Sequence, residues 1–402
     1  MQSKSDLLII GGGVVGLATA YNFLQQFPDK KVIVLEKEEH VAAHQTGRNS
    51  GVLHSGIYYR PGSHRAKMCA VGKARLEAFC EREDIPYNRC GKVIVAFSEE
   101  ELPSLQRIYE RGQANGVVCE VIGRERLAEI EPHTAGIKAI HVPEAGIVDY
   151  AQVCRRLAEL IKQMGGQVLL KTQVTGMTEN AHEVVVSSTL GDFSTQQVVS
   201  CAGLYSDRVA GMVNRAKEDL QIVPFRGEYY ELKPDVHHLC KGLIYPVPDT
   251  RFPFLGVHFT LMISGSVECG PNAVLAFARE GYRWTDFNAR DLAESLSYIG
   301  FRKLAMKYWR TGIGEMWRSL SKPAFVKALQ RLVPAIQADH LIWSPAGVRA
   351  QAVNSDGTLL DDFAFSHSPR TFHVLNAASP AATSCLEVGR YIVEQLGERQ
   401  VG

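Results

Sequence analysis

Apolar residues in this chain come in two rhythms: short unbroken runs, and longer stretches with an apolar position every three or four residues. Residues 7–10 are an apolar run of strand length. Val14, Leu17, Ala18, Tyr21 and Leu24 then recur at helical spacing, and residues 32–35 form a second run ending at Glu36. This predicts strand, helix and strand. Three consecutive glycines separate run from stripe, and Gly11, Gly13 and Gly16 fit the spacing G-x-G-x-x-G. Residues 6–36 therefore read as a dinucleotide-binding βαβ unit. Gly11 lets the chain turn off the strand, Gly13 lets backbone approach a pyrophosphate, and Gly16 lets helix and strand lie close. The helix aims its first N–H groups at the phosphates, and Glu36, roughly 20 residues beyond Gly16, can accept from a ribose diol. Residues 7–24 carry no charge and have the length of a membrane span, but four of them are glycines. The nucleotide reading meets the motif's context, and the span reading does not.

Beyond Glu36 the same rhythms predict a helix over 63–84, with Met68, Ala70, Leu76 and Phe79 on its apolar side, and a strand over 91–97. Helices follow over 99–115, 124–131 and 150–164. Strands are expected over 167–174, 183–188 and 197–202, the last running into Gly203. Residues 223–278 read as short strands punctuated by Pro and Gly, a mostly antiparallel second domain. Residues 290–331 are helical again. The tail has turn-rich segments over 344–365 and 376–389 flanking a strand at 372–376, then a last helix. There is no internal repeat and no low-complexity linker, so the domains are expected to interleave. The fold class is α/β, a Rossmann-like domain interleaved with an antiparallel-sheet α+β domain.

Composition narrows the class. The 402 residues are 46% hydrophobic and 22% charged, ordinary globular values, and the net charge of +1 gives no field for nucleic acid. Nine scattered cysteines without a C-x-x-C pair fit free thiols in a reducing compartment. A cytoplasmic protein is expected, at most peripheral at a membrane. His40 and His44 are spaced i, i+4 without further ligands, so no zinc site is expected. Residues 46–56 place Gly47, Gly51 and Gly56 among Thr46, Arg48, Asn49, Ser50 and His54, a backbone that can approach a ligand with donors aimed inward. Residues 299–327 carry seven basic residues against Glu315, interleaved with Phe301, Tyr308, Trp309 and Trp317. That pattern fits an anionic membrane surface, or a solvated basic helix pair whose aromatic rings face the core.

GGGVVGLATAY, HQTGRNSGVLHSGIYY, VVSCAG, PFRGEYYEL, PFLGVHFT and PAGVRAQAV, in this order along nearly the whole chain, resemble the L-2-hydroxyglutarate dehydrogenases. These belong to the D-amino-acid oxidase and glycine oxidase superfamily of FAD enzymes. The resemblance implies an FAD domain from 1–88, 147–222 and 340–402, and a substrate domain from 89–146 and 223–339. It implies FAD held by Gly11, Gly13, Gly16, Glu36, Thr46, Asn49, Ser50, Gly51, Val174, Ala202, Gly203, Ala381, Ala382 and Thr383. It also implies oxidation of a 2-hydroxy acid by hydride transfer to flavin N5, with His54 or His258 as base and Arg349 binding a carboxylate. Arg226 either assists or forms a structural salt bridge, and Tyr58, Tyr59 and Tyr230 are hydroxyl donors for the pocket. A membrane quinone is the expected acceptor. The alternatives are an amino-acid or glycine oxidase using O₂, and a non-catalytic flavoprotein binding module.

Overall fold

The computed structural model describes residues 3–213, 219–248 and 256–398. The apolar stretch 7–24 is divided as its glycines dictate. Strand β1 (Ser3–Ile10) leads through the glycine turn into helix α1 (Val14–Gln26), and β2 (Val32–Leu35) returns parallel to β1, with Leu7 opposite Val32. No helix among the described residues is long and apolar enough to cross a membrane.

β1 and β2 lie at the centre of an eight-stranded sheet. Strand Gly191–Ser200 pairs parallel to β1 on the other side, followed by the antiparallel Val184–Ser188 and Val174–Glu179. Gln167–Leu169 lies beside β2, and Thr371–Asn376 joins Gly191–Ser200. The strand expected over 167–174 is thus two strands at opposite ends of one sheet. A purely local apolar pattern cannot reveal that break. Helices Tyr150–Gln163 and Cys385–Glu398 pack with α1 over β1 and β2 in one apolar core.

The second sheet has nine strands and is mostly antiparallel. Its order runs Val274–Leu275, Leu220–Leu232, Val267–Gly270, His258–Leu261, Leu243–Pro246, Lys92–Ala96, Lys138–Val142 and Glu120–Gly123. Strand Leu341–Asn354 lies along Leu220–Leu232. Two sequence expectations change here. Residues 220–232 form one long strand rather than a short one, and much of the turn-rich segment 344–365 is strand Leu341–Asn354. Pro345 and Ala346 fall where the register shifts, between the pairs Gly227–Gly347 and Tyr229–Ser344, so a bulge absorbs the proline while Gly347 still pairs. This strand belongs to the second sheet although it falls within the third segment expected for the cofactor domain. A small sheet of Val52–Leu53, Gly146–Val148 and Tyr87–Asn88 sits where the chain passes between the two larger ones. Part of the PFLGVHFT motif, residues 253–255, lies outside the described residues.

Candidate active site

The glycine turn is shaped by contacts that side chains would block. Gly11 has φ +108°, and a Cβ on it would meet Cys201 O at 2.5 Å. A Cβ on Gly16 would lie 2.1 Å from Gly11 O, so only glycine lets α1 sit this close to β1. At Gly13 the nearest atom is Thr46 Oγ1 at 3.3 Å, leaving backbone open for a ligand. Glu36 is buried under the turn: Oε2 accepts from Gly12 N–H at 2.7 Å and Oε1 from Glu38 N–H at 2.9 Å. Thr46 Oγ1 accepts from Val14 N–H at 3.2 Å, tying the 46–56 loop to the start of α1. Asn49 braces that loop internally, its amide donating to Gln45 and Thr46 carbonyls while Oδ1 accepts from Gly51 N–H. Gly51, at φ +67°, leaves room for Val148 O. Ser50 lies between them on the same loop.

The other expected cofactor residues fall around this turn. Ala202 and Gly203, at φ +51°, follow strand Gly191–Ser200 and approach Gln45. Val174 opens the far antiparallel strand and is buried beside β1 and β2 side chains. Ala381, Ala382 and Thr383 precede the last helix. Thr383 is fully buried; its Oγ1 accepts from His54 N–H at 3.1 Å, donates to Val52 O and lies 2.9 Å from Tyr150 OH. It positions His54.

Lys92, Tyr245, His258, Tyr229 and Arg349 come from five strands of the second sheet. The His258 ring stacks on Tyr245 at 3.9 Å, and Nδ1 lies 2.9 Å from Gly256 O. A carbonyl can only accept, so Nδ1 carries the proton and Nε2 of the neutral ring keeps its lone pair. His54 Nε2 lies 3.2 Å from Ser379 Oγ. Burial above all pushes both imidazoles down to about 3. The charge of Lys92 adds to this for each, with Arg65 acting on His54 and Arg349 on His258. Both are neutral at pH 7. Burial also lowers Lys92, to about 7, and raises the Tyr58 hydroxyl well above its ordinary value. Tyr58 OH is buried with no hydrogen-bond partner among the described residues.

Two expected donors sit elsewhere. Arg226 pairs opposite Val348 while Arg349 pairs opposite Phe225, so strand alternation puts the two arginines on opposite faces. Arg226 is fully buried, ion-paired to Glu228 at 3.0 Å and stacked over Trp284, and this is the structural salt bridge of the two readings. Tyr230 packs against Phe325 and Trp343 in the core behind the sheet, away from the histidines. Tyr59 lies under the Arg65 guanidinium. His44, but not His40, joins Lys37, Glu38 and Glu280 in a polar cluster, where the Lys37 ammonium bonds both carboxylates and supplies the positive charge.

Residues 6–395 match the family model described as FAD dependent oxidoreductase. The L-2-hydroxyglutarate dehydrogenase of Indibacter alkaliphilus is 52% identical, over 97% of this chain and 98% of its own length. The chain belongs to the L-2-hydroxyglutarate dehydrogenase family of FAD-dependent oxidoreductases. The Escherichia coli K12 enzyme of that name is 43% identical over 97% of this chain and 93% of its own, and the human mitochondrial one 45% over 99% and 89%. The fold matches L-alpha-glycerophosphate oxidase from Mycoplasma pneumoniae with FAD bound, at TM-score 0.81 and 23% identity, covering 98% of this chain and 95% of that one. Glycine oxidase from Geobacillus kaustophilus aligns at TM-score 0.72 and 19% identity, over 99% and 95%.

The turn fits the flavin cofactor of this family. The α1 N-terminus has no side-chain cap on Gly13, and the space over Gly13 is open to backbone-to-phosphate contact. Sequence reasoning missed Lys92, Tyr245 and Tyr229 as site residues. A signal for Lys92 was present: alternation puts it on the same face as Ile94 and Ala96, a lysine where the pattern calls for an apolar residue. Nothing local marks the two tyrosines: strand pairing alone stacks Tyr245 on His258 and brings Tyr229 within reach of the Arg349 charge.

Proposed function

We propose that this chain oxidises L-2-hydroxyglutarate to 2-oxoglutarate. The observation that carries the proposal is the pair of buried neutral imidazoles, His54 and His258, the second within reach of the Arg349 charge, in a chain whose relatives bear that enzyme's name along nearly its full length. His54 takes the hydroxyl proton, and His258, with its Nε2 lone pair available, is the second candidate. The planar fork of Arg349 binds the carboxylate next to the reacting carbon. Tyr58, whose hydroxyl has no protein partner among the described residues, donates to the bound acid. FAD, when bound, accepts the hydride from the α-carbon. The glycine turn, Glu36, the 46–56 loop, Val174, Ala202, Gly203 and residues 381–383 hold it. The division into an FAD-binding domain of 1–88, 147–222 and 340–402 and a substrate-binding domain of 89–146 and 223–339 is crossed at the site, where His54 and Tyr58 from the first segment and Arg349 on strand Leu341–Asn354 serve the substrate.

Anaerobic addition of L-2-hydroxyglutarate to the purified yellow protein should bleach the flavin band and yield 2-oxoglutarate. Bleaching by glycine or D-amino acids instead would install the oxidase reading. A flavin that no acid bleaches would leave a binding module.

Electrons then pass to a membrane quinone, with helix Ile299–Leu320 docked reversibly on an anionic membrane. Supporting this, Trp309, Ile313, Trp317 and Leu320 are each more than half exposed and recur at helical spacing beyond a kink at Tyr308, with exposed Met306, Lys307 and Arg310 close to it. Phe301 and Tyr308 do pack inward, as in the competing reading of this segment, and Glu315 is buried beside Arg318. The face offered to a membrane is therefore more apolar and less acidic than the sequence count implied.

A further inference from the structure

Lys92 is 4% exposed, on a strand whose other residues are all buried and apolar. Among the described residues no carboxylate pairs with it. Its Nζ instead lies 3.6 Å from the Tyr245 ring centre and 4.8 Å from that of Tyr58. Aromatic faces attract a cation, but by less than the cost of taking an ammonium out of water. Lys92 lines the same small cavity as His54 and Tyr58, whose hydroxyl is the orphan noted above. A buried amine without a counter-charge, which an incoming anion would hold protonated, and a buried hydroxyl without a partner, on residues that line one small cavity, make an unfinished anion site.

Along the sheet, the strand bearing His258 lies between the strands bearing Lys92 and Arg349, and both cations act on the His258 ring. A molecule with one carboxylate near each end would meet a cation on either side of the imidazole. We propose that Lys92 holds the second carboxylate of a dicarboxylic 2-hydroxy acid, opposite the one taken by Arg349, and so makes the site prefer dicarboxylates over monocarboxylates. This rests on the oxidation proposed above. The tyrosine rings hold the ammonium in place, and the Tyr58 hydroxyl completes the carboxylate's hydrogen bonding.

The test compares wild-type and Lys92→Met holoenzyme on L-2-hydroxyglutarate and on L-2-hydroxypentanoate, which lacks the second carboxylate. The ratio of kcat/KM between the two acids should fall roughly 10- to 100-fold in the variant, the loss expected of a hydrogen bond to a charged group. Thermal shift with glutarate, an unreactive dicarboxylate, should stabilise the wild type and leave Lys92→Met unmoved. The variant's own Tm, measured without ligand, should match or exceed that of wild type, because a buried amine without a counter-charge has been replaced by an apolar side chain. Equal losses on both acids, an unchanged ratio, or a preserved glutarate shift would overturn the assignment. A wild type that oxidises neither acid would sink the proposed function instead, and the glutarate shift would still decide for or against Lys92.

Discussion

An imidazole can accept a proton only while it is neutral, and burial keeps both His54 and His258 in that state. His54→Ala should slow flavin reduction by L-2-hydroxyglutarate roughly 10²–10⁴-fold with little change in substrate affinity, measured by anaerobic stopped flow. A wild-type rate would pass the role to His258. The same burial has a consequence for stability. The unfolded chain protonates His258 below about 6.5, its ordinary value, whereas the native chain does not until about 3. Between those values the unfolded state binds more protons, so stability falls as pH drops, by at most about 1.4 kcal/mol per unit from this residue. Urea midpoints at pH 6.5 and 4.5 should therefore lie closer together in His258→Gln than in wild type. Equal gaps would mean that the ring is not held neutral. Arg226 and Arg349 show the limit of residue type as a guide: both are arginines in strands, and only the pairing partner of each separates the ion pair from the site.

Among the elements, the β1–α1–β2 unit was the most legible, since steric demand there is local. It yields a contrast between two glycines. Gly16→Ala pushes a methyl group into Gly11 O and should lower the Tm of the apoprotein by several degrees. Gly13→Ala brings a methyl group to 3.3 Å from Thr46 Oγ1, a tight contact with a side chain that can shift, and should lower the apoprotein Tm much less than Gly16→Ala while weakening FAD binding, read by fluorescence titration. Similar Tm losses in both would refute the division of roles. The helix over residues 63–84 was equally plain, down to Ser63, whose side chain caps it by accepting from Ala66 N–H. Strand Leu341–Asn354 was not. Its Pro345, Gly347 and closing Asn354 signal turns, and the chain resolves the conflict with a bulge against Leu220–Leu232.

At the scale of the whole molecule, two sheets share a chain that crosses between them several times, and the exposed ridge on Ile299–Leu320 lies outside both cores. Wild-type holoenzyme should float with anionic liposomes at low salt and release at high salt, whereas Trp309→Ser with Trp317→Ser should remain unbound at both. Flotation unaffected by those changes would remove the ridge from the interface. The sequence by itself determined what depends on neighbours within a few residues. It specified the nucleotide-binding unit, the helices, the small-residue approach at Ala202 and Gly203, and, through motifs spread along the chain, the family. Tertiary structure decided which faces meet: that Arg349 and Arg226 lie on opposite faces of the second sheet, that Tyr230 is core, and that Lys92 lines a cavity with His54. Those outcomes hang on the register between strands far apart in sequence, where a one-residue slip reverses every side chain, and no local pattern encodes that register.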